Sequence, residues 1–450
     1  MRSDTLAAAL AAALISVSAH AAEPVTAEQV AALEARIGQL EQQSQALREQ
    51  AEQAIGAARE AREALAQIRQ QQQDTTLAQA SAPPPSASSA PAGANGNAFN
   101  PAISLVLNGT YAHHSLPPAR YDRAGFPIVG EGGPLEQGLG LGESELAMAA
   151  NIDDKFYGQL TLAVGSEDGN DEIGIEEAYI DAMGLPGGLT LRTGRFFSNI
   201  GYLNSHHTHT DQFSDRPLAS QSFLGNQYFD DGVQLRWVAP TELFLELGGE
   251  VLRGQRFPGG GGGNGGVGTK TAFVHFGGDI GSEQSWLAGL STLHTDANHA
   301  EDGFSGNADL YIADLTWKWA PQGNFKDGGL TLRSEVFAED RNGWLDDPNA
   351  EAPAQRWNGQ RWGAYAQGVY RINRHWETGY RYDRLWSDNG LPLATGYEPS
   401  RHTLMLTWLN SEFSLVRLQL SHDQPNPDAV DNVISLQYQV NMGAHGAHKF

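Results

Sequence analysis

The chain has 450 residues, no cysteine, 52 glycines and 21 prolines, and 53 acidic against 29 basic side chains for a formal charge of −24. The missing cysteine excludes disulfide frameworks, thiolate metal sites and cysteine nucleophiles together, and the acidic balance argues against nucleic acid as a partner. Past the N-terminus no run approaches the roughly 20 apolar residues of a spanning helix, while 9% aromatic residues and abundant glycine suit a large all-β protein.

Residues 1–21 read as a secretory signal peptide: Arg2 supplies a positive start, Leu6 to Val17 is rich in Ala and Leu, and Ala19-His20-Ala21 offers small residues for cleavage. Within 22–73 a strict heptad follows. Val30, Ile37 and Leu65 hold a positions, Leu33, Leu40, Leu47 and Ile68 hold d positions, and alanine fills the middle. That pattern predicts a left-handed coiled coil of self-associating helices. Residues 74–98 contain SAPPPSASSAPAGANGN, a Pro/Ser/Ala/Gly tract that cannot bury a core and reads as a linker.

From 99 to 450 the signal is period-two alternation over segments of about ten residues. Phe156, Leu160, Leu162 and Val164 oppose Tyr157, Gln159 and Thr161; Ile434, Leu436, Tyr438 and Val440 oppose Ser435, Gln437 and Gln439. One apolar and one polar face per strand fits a membrane barrel with lipid outside and water within. About sixteen strands are expected, starting near Ala102, Leu141, Lys155, Ile173, Gly188, Asp230, Glu242, Lys270, Gln284, Ala308, Gly329, Gln360, Arg374, Arg401, Glu412 and Asn432. Connections after even strands are short, such as Asp153-Asp154 and Asn410-Ser411, with Pro321 to Gly328 the one longer member, and those after odd strands are mostly long. That asymmetry is the layout of a bacterial outer-membrane barrel, and an even count returns both ends to the periplasm. The competing fold, a soluble β-sandwich, lacks a reason for Trp237, Trp286, Trp317, Trp319, Trp362, Trp376, Trp386 and Trp408 to fall mostly near strand ends, where interfacial girdles lie.

The last strand, ending in Phe450 in phase with Met442, Val440 and Tyr438, resembles the assembly signal of Gram-negative outer-membrane porins. Coiled coil, Pro-rich linker and sixteen strands together look like trimeric porins. The segment Leu191 to Phe197, a long loop, and Asp231-Gly232-Val233-Gln234-Leu235 are similar in layout to the phosphate-selective porin family. The NPAISLVLNG start and the His-rich motifs resemble proteobacterial proteins labelled zinc-regulated outer-membrane receptors. Only five lysines lie in the barrel (Lys155, Lys270, Lys318, Lys326 and Lys449), with roughly twenty more acidic than basic residues, a departure that speaks against phosphate selectivity. The resemblance implies an outer-membrane channel, in contact with lipid and trimeric, that passes small hydrophilic solutes or ions.

It also implies that the third long connection, Ser198 to Phe229, folds into the lumen as a constriction. Within it His207, His209 and Asp211 offer imidazole and carboxylate ligands to Zn²⁺ or a similar cation; a hydrated polar loop is the plainer reading. Other histidines, at His113, His114, His294, His299, His445 and His448, read as surface residues. Strand parity turns Glu143, Glu145, Glu177, Glu246, Glu250, Glu335, Glu339, Glu377 and Asp383 inward, with Arg192, Arg236, Arg333, Arg361, Arg371, Arg381 and Arg417. Acidic groups from early strands would face a basic strip from later ones across the pore, or the two would close interstrand salt bridges. No nucleophile–base constellation appears, so no enzyme is expected, and Gly259–Gly266 lacks the lysine and helix of a phosphate loop.

Overall fold

The computed structural model describes residues 101–167, 170–260, 266–346, 353–389 and 391–443. The expected signal peptide, coiled coil, linker, Phe450, His445 and His448 lie outside them. The described chain is a single antiparallel sheet closed on itself. Its strands are β1 (Ala102–His114), β2 (Gly138–Leu141), β3 (Ser144–Asn151), β4 (Phe156–Glu167), β5 (Asn170–Ala182), β6 (Leu189–Phe197), β7 (Phe229–Val238), β8 (Phe244–Leu252) and β9 (Thr269–Ile280). The series continues with β10 (Gln284–Ala297), β11 (Phe304–Trp319), β12 (Gly329–Leu345), β13 (Gln355–Asn373), β14 (Trp376–Ser387), β15 (Ser400–Ser411), β16 (Ser414–Asn426) and β17 (Ala429–Gly443). β2 and β3 both pair with β1 and form one broken stave, so the barrel has sixteen. β17 returns to β1, with Leu107 opposite Val440 and Tyr111 opposite Leu436, and closes the sheet.

The alternation behaves as the sequence predicts. Leu107, Leu290, Leu315, Val336, Leu404, Ile434, Leu436 and Tyr438 are exposed on the outside, while Thr316, Thr403, Thr407 and Gln437 are buried within. Tryptophans pair across strands near the short-turn end, Trp286 opposite Trp317 and Trp376 opposite Trp408. Near the other end the rings of Trp362 and Trp386 stack with centroids 6.4 Å apart. Such cross-strand aromatic pairs stabilise a sheet where lipid gives way to water.

Apart from the shifts beside turns at Arg371/Asn373, Leu409/Ser411 and Asp423/Asn426, the alternation slips at two places among the early strands. In β5, Thr161 of β4 faces Glu177 but Leu162 faces Ile175, leaving Glu176 as an extra residue. Outward residues are therefore odd before the slip, at Ile173 and Ile175, and even after it, at Ile180. Glu176 and Glu177 both end up buried inside. The second slip divides β2 from β3: Leu141 faces Gly109 and Glu145 faces Val106, so one more residue stands on the broken stave than on β1. Both are β-bulges, which insert one residue and re-aim the side chains beside it.

The interior is not the uniformly polar lumen that alternation alone suggests. Leu293, Leu310, Ile312, Phe337 and Leu385 point inward and pack with Ile200, Leu218, Phe223 and Leu224 of the 198–228 connection. The long-loop end has a second apolar cluster in which Phe257, Phe304, Leu345 and Trp357 meet Val129 of the β1–β2 connection.

Gly194 tests the registration that positions the β5 bulge. It sits at φ 123°, and a Cβ there would lie 2.2 Å from the Ala178 carbonyl oxygen on the neighbouring strand. Gly194→Val is expected to abolish most of the folded barrel, read as loss of the heat-modifiable band in cold-loaded gel electrophoresis.

Candidate functional site: the loop inside the barrel

The connection between β6 and β7 turns inward and is held to the wall nearly all the way round. Two 3₁₀ turns, Leu203–Ser205 and Thr208–Thr210, precede helix α1 (Leu218–Leu224), whose seven residues are all buried. Pro217 leads into α1, and Gly225, at φ 59°, ends it in the left-handed conformation. Seven residues make too short a helix to persist alone, so its packing against the wall holds it.

Carboxylates on the wall supply the acceptors. Glu250 accepts from the Ser198 hydroxyl, from the Asn199 amide at 2.9 Å and from Gln234 and Thr271 at 2.8 and 2.6 Å. Glu335 accepts the backbone N–H groups of Tyr202 and Leu203. Asp383 accepts the Leu218 N–H at 3.0 Å, meeting one of the orphan donors at the start of α1. Opposite, Asp215 of the loop accepts from Arg381 at 3.0 Å and Gln419 at 2.6 Å, and pairs with Arg401 at 2.9 Å. Arg417 donates to the Asp211 carbonyl at 2.9 Å.

On the early-strand side the loop meets the two bulges. His209 Nδ1 lies 2.7 Å from Glu145 Oε1, and His207 Nδ1 lies 3.0 Å from Glu145 Oε2. His207 Nε2 is 3.0 Å from Glu177, and the Thr208 hydroxyl donates to Glu143 at 2.7 Å. Burial opposes a charged His207, but Glu145, Glu176 and Glu177 outweigh it and hold the imidazole well above the ordinary histidine range. The imidazoles of His207 and His209 stack with centroids 5.5 Å apart.

The sequence-predicted triad comes together only in part. His207 and His209 converge, but Asp211 is drawn off by Arg216, whose Nε lies 2.9 Å from its Oδ2. An aspartate two residues past His209 lies beyond the 3₁₀ turn and faces the loop's own arginine. Glu145 stands in its place. Of the residues expected to turn inward, Glu145, Glu177, Arg192, Glu246, Glu250, Arg333, Glu335, Arg361, Arg381, Asp383 and Arg417 are buried, and Glu143, Arg236 and Arg371 are half-buried.

The basic strip is mostly neutralised. Arg192 pairs with Asp181 at 2.7 Å, Arg361 with Glu339 at 2.6 Å, Arg371 with Glu377 at 2.9 Å and Arg381 with Asp383 at 2.9 Å. Arg417 instead bonds Gln437 and Thr407, and Arg333 bonds Thr316 and lies over the Tyr202 ring. His114 is not a surface histidine: it is buried 2.7 Å from Asp431.

Three cavities surround the loop. One of about 590 Å³ toward the short-turn end includes Arg333, Lys318, Thr210 and Asp211. Another of about 440 Å³ includes Glu145, Glu177, Asp181, His207, His209 and Thr210. The third, about 430 Å³ and toward the long loops, includes Glu143, Thr208 and Asp211. The stretch from His206 to Asp211 thus borders all three cavities, with acidic groups on one flank and Arg333 on the other.

Sequence reasoning missed Glu176, Arg401 and the whole β1–β2 connection. That connection sends Arg123 onto Ser222 at 2.8 Å and Gln221 at 2.6 Å, and Tyr121 onto Asp423 at 2.9 Å. The outward parity change from Ile175 to Ile180 is a signal that would have found Glu176.

No family model matches the chain. It is 31% identical over 395 residues to an uncharacterized protein of Aquifex aeolicus (strain VF5), spanning 78% of this chain and 80% of that one. In fold it is similar to the outer membrane channel DcaP of Acinetobacter baumannii, with TM-score 0.50 and 12% identity over 76% of this chain and 96% of that one. The anion-selective porin from Comamonas acidovorans gives TM-score 0.49 and 11% identity over 76% and 99% of the two chains. The barrel has the fold of outer-membrane porins.

Asp215 is the clamp to test. Its side chain is 11% exposed and serves two arginines. Asp215→Asn removes one charged partner from each, Arg381 keeping Asp383 at 2.9 Å and Arg401 keeping Asp383 and Asp423 at 3.8 and 3.9 Å, which is expected to cost the seated loop about 1–3 kcal/mol. Pepsin cleavage within 198–228 measures the release. Burial pushes the Asp215 carboxyl up, but Arg381 and Arg401 outweigh it and hold it below its ordinary 3.8. Its contribution is therefore complete above that value and fades only as the pH falls through the lower folded value. The wild-type loop should resist pepsin at pH 4 and lose resistance below it.

Proposed function

The chain belongs to the family of the Aquifex aeolicus protein, and we propose that it is an outer-membrane porin, a water-filled channel for passive diffusion of small hydrophilic solutes or ions. The observation that carries this reading is the arrangement of the interior. A loop fastened across the barrel narrows it, and Asp211 borders a polar cavity on either side. A packed plug would serve a receptor better than a pore-narrowing loop with polar space above and below it.

Modest cation preference follows from the flanks. Glu143, Glu145, Glu176 and Glu177 crowd one side of the narrow stretch, whereas most arginines on the other are paired. Acidic rings favour cations in narrow pores, and exposed loop carboxylates beyond roughly 8 Å are screened at physiological salt. The second reading, a metal-linked uptake or receptor protein, is favoured by how completely the loop is tied to the wall. The two part on one measurement, since a receptor with an occluded barrel carries no steady current.

The barrel would sit in outer-membrane lipid and assemble as a homotrimer, with residues 22–73 as periplasmic helices that strengthen the contact. A closed barrel satisfies its own backbone hydrogen bonds. Deleting 22–73 should therefore lower the oligomer's dissociation temperature in detergent while leaving the heat-modifiable monomer band intact.

Planar bilayers test the channel itself. Steady single-channel steps are expected, with reversal potentials favouring cations in dilute salt and fading as salt rises. Anion preference at low salt would overturn the charge argument, and folded protein that carries no current would overturn the porin reading.

A further inference from the structure

The two bulges and the loop bring two overlapping groups of donors together. Glu145, His207 and His209 have ligand atoms within 4.8 Å of one another, and so do Glu143, Glu145 and Glu176. Glu145 belongs to both groups. These residues come from the β2–β3 break, from the extra position in β5 and from a 3₁₀ turn, three elements with no reason to converge except through tertiary structure.

A second observation concerns how these atoms are satisfied. Glu176 is 8% exposed, and its buried Oε2 makes no hydrogen bond, although it points at His207 Nδ1 from 3.6 Å. His207 Nδ1 is likewise buried without a bond of acceptable geometry, although Glu145 Oε2 lies 3.0 Å away. A buried polar atom left unmatched costs free energy, and two that converge on common neighbours mark a place where one further ligand-accepting centre would satisfy both. Arginine cannot fill that role from the same wall, because Arg192 donates twice to Asp181, at 2.7 and 2.8 Å.

We propose that Glu145, His207 and His209, with Glu143 and Glu176 beside them, form a binding site for one divalent transition-metal cation between the inner loop and the early-strand wall. The donor set selects the class. Two imidazoles with carboxylates suit Zn²⁺ and its neighbours, whereas Ca²⁺ and Mg²⁺ prefer cages of oxygen alone. A bound cation would tie the loop to both bulges and cancel the negative charge on the cation-attracting flank. Occupancy therefore lowers conductance and weakens cation preference. This consequence rests on the channel reading, but the binding does not.

The experiment uses the full-length folded protein in detergent, equilibrated with Zn²⁺ or Mg²⁺ at pH 7.5 and assayed for bound metal, alongside bilayer recordings of the same preparations. About one Zn²⁺ per barrel is expected, undisturbed by excess Mg²⁺. His207→Gln with His209→Gln should remove it, and Glu176→Gln should weaken it tenfold or more. His402→Ala, on an exposed histidine of β15, should leave it unchanged. Each variant is first shown to keep the heat-modifiable band. In bilayers, micromolar Zn²⁺ should reduce the current of the parent protein and not that of the double variant. Zinc binding that survives the double substitution, or that Mg²⁺ displaces equally well, overturns the site. Stoichiometric, histidine-dependent zinc in a protein without current supports the site and removes the channel reading instead.

Discussion

A strand in hydrocarbon must pair every backbone amide, and this requirement shapes everything else in the molecule. The sheet has to close, and once closed, each stave has one face for lipid and one for the interior. A residue's position along its strand then decides its solvent. Breaking that phase without breaking the pairing takes a bulge, and the barrel has bulges in two early staves close together. Each adds one residue to the inner wall. Their joint effect is a wall that presents Glu143, Glu145, Glu176 and Glu177 to the same spot, which uninterrupted strands could not do.

The loop answers that wall with opposite chemistry on its two flanks. Toward the bulges it offers imidazoles and a hydroxyl; toward the later strands it offers a carboxylate, backbone carbonyls and an apolar helix. The wall is matched accordingly, with acids on the early strands and guanidinium groups on β14, β15 and β16. Because the contacts differ in kind around the circumference, the loop has one orientation in which all are met.

The sixteen staves were legible because period two is a local property, and each expected start falls within a few residues of an observed strand. Inward residues were legible for the same reason wherever the phase is unbroken, as at Glu250, Glu335 and Arg417. What the sequence could not disclose depends on contacts across the barrel. Asp211 looked like a partner for His209 because it lies two positions on, but its carboxylate pairs with Arg216. Glu145 lies 62 positions before His207 and reaches it only through the curvature of the sheet. Glu176 was hidden because it is itself the inserted residue of the β5 bulge, and Phe337 or Leu385 looked like ordinary strand residues until α1 was seen to cover them.

That covered patch bears on how the molecule is made. Phe337, Leu310, Ile312 and Leu385 would face water if the sheet closed with the loop outside. Conversely, Ile200, Leu218 and Phe223 have nothing to cover them until β11 to β14 stand alongside. The loop leaves β6 yet docks on strands more than eighty residues downstream, so it has to wait, unsheltered, while the second half of the chain is delivered. Biogenesis is then a problem of timing: a chaperone that holds the chain must guard this internal hydrophobic seam as well as the outer belt, and must release the loop before the last staves seal the cylinder.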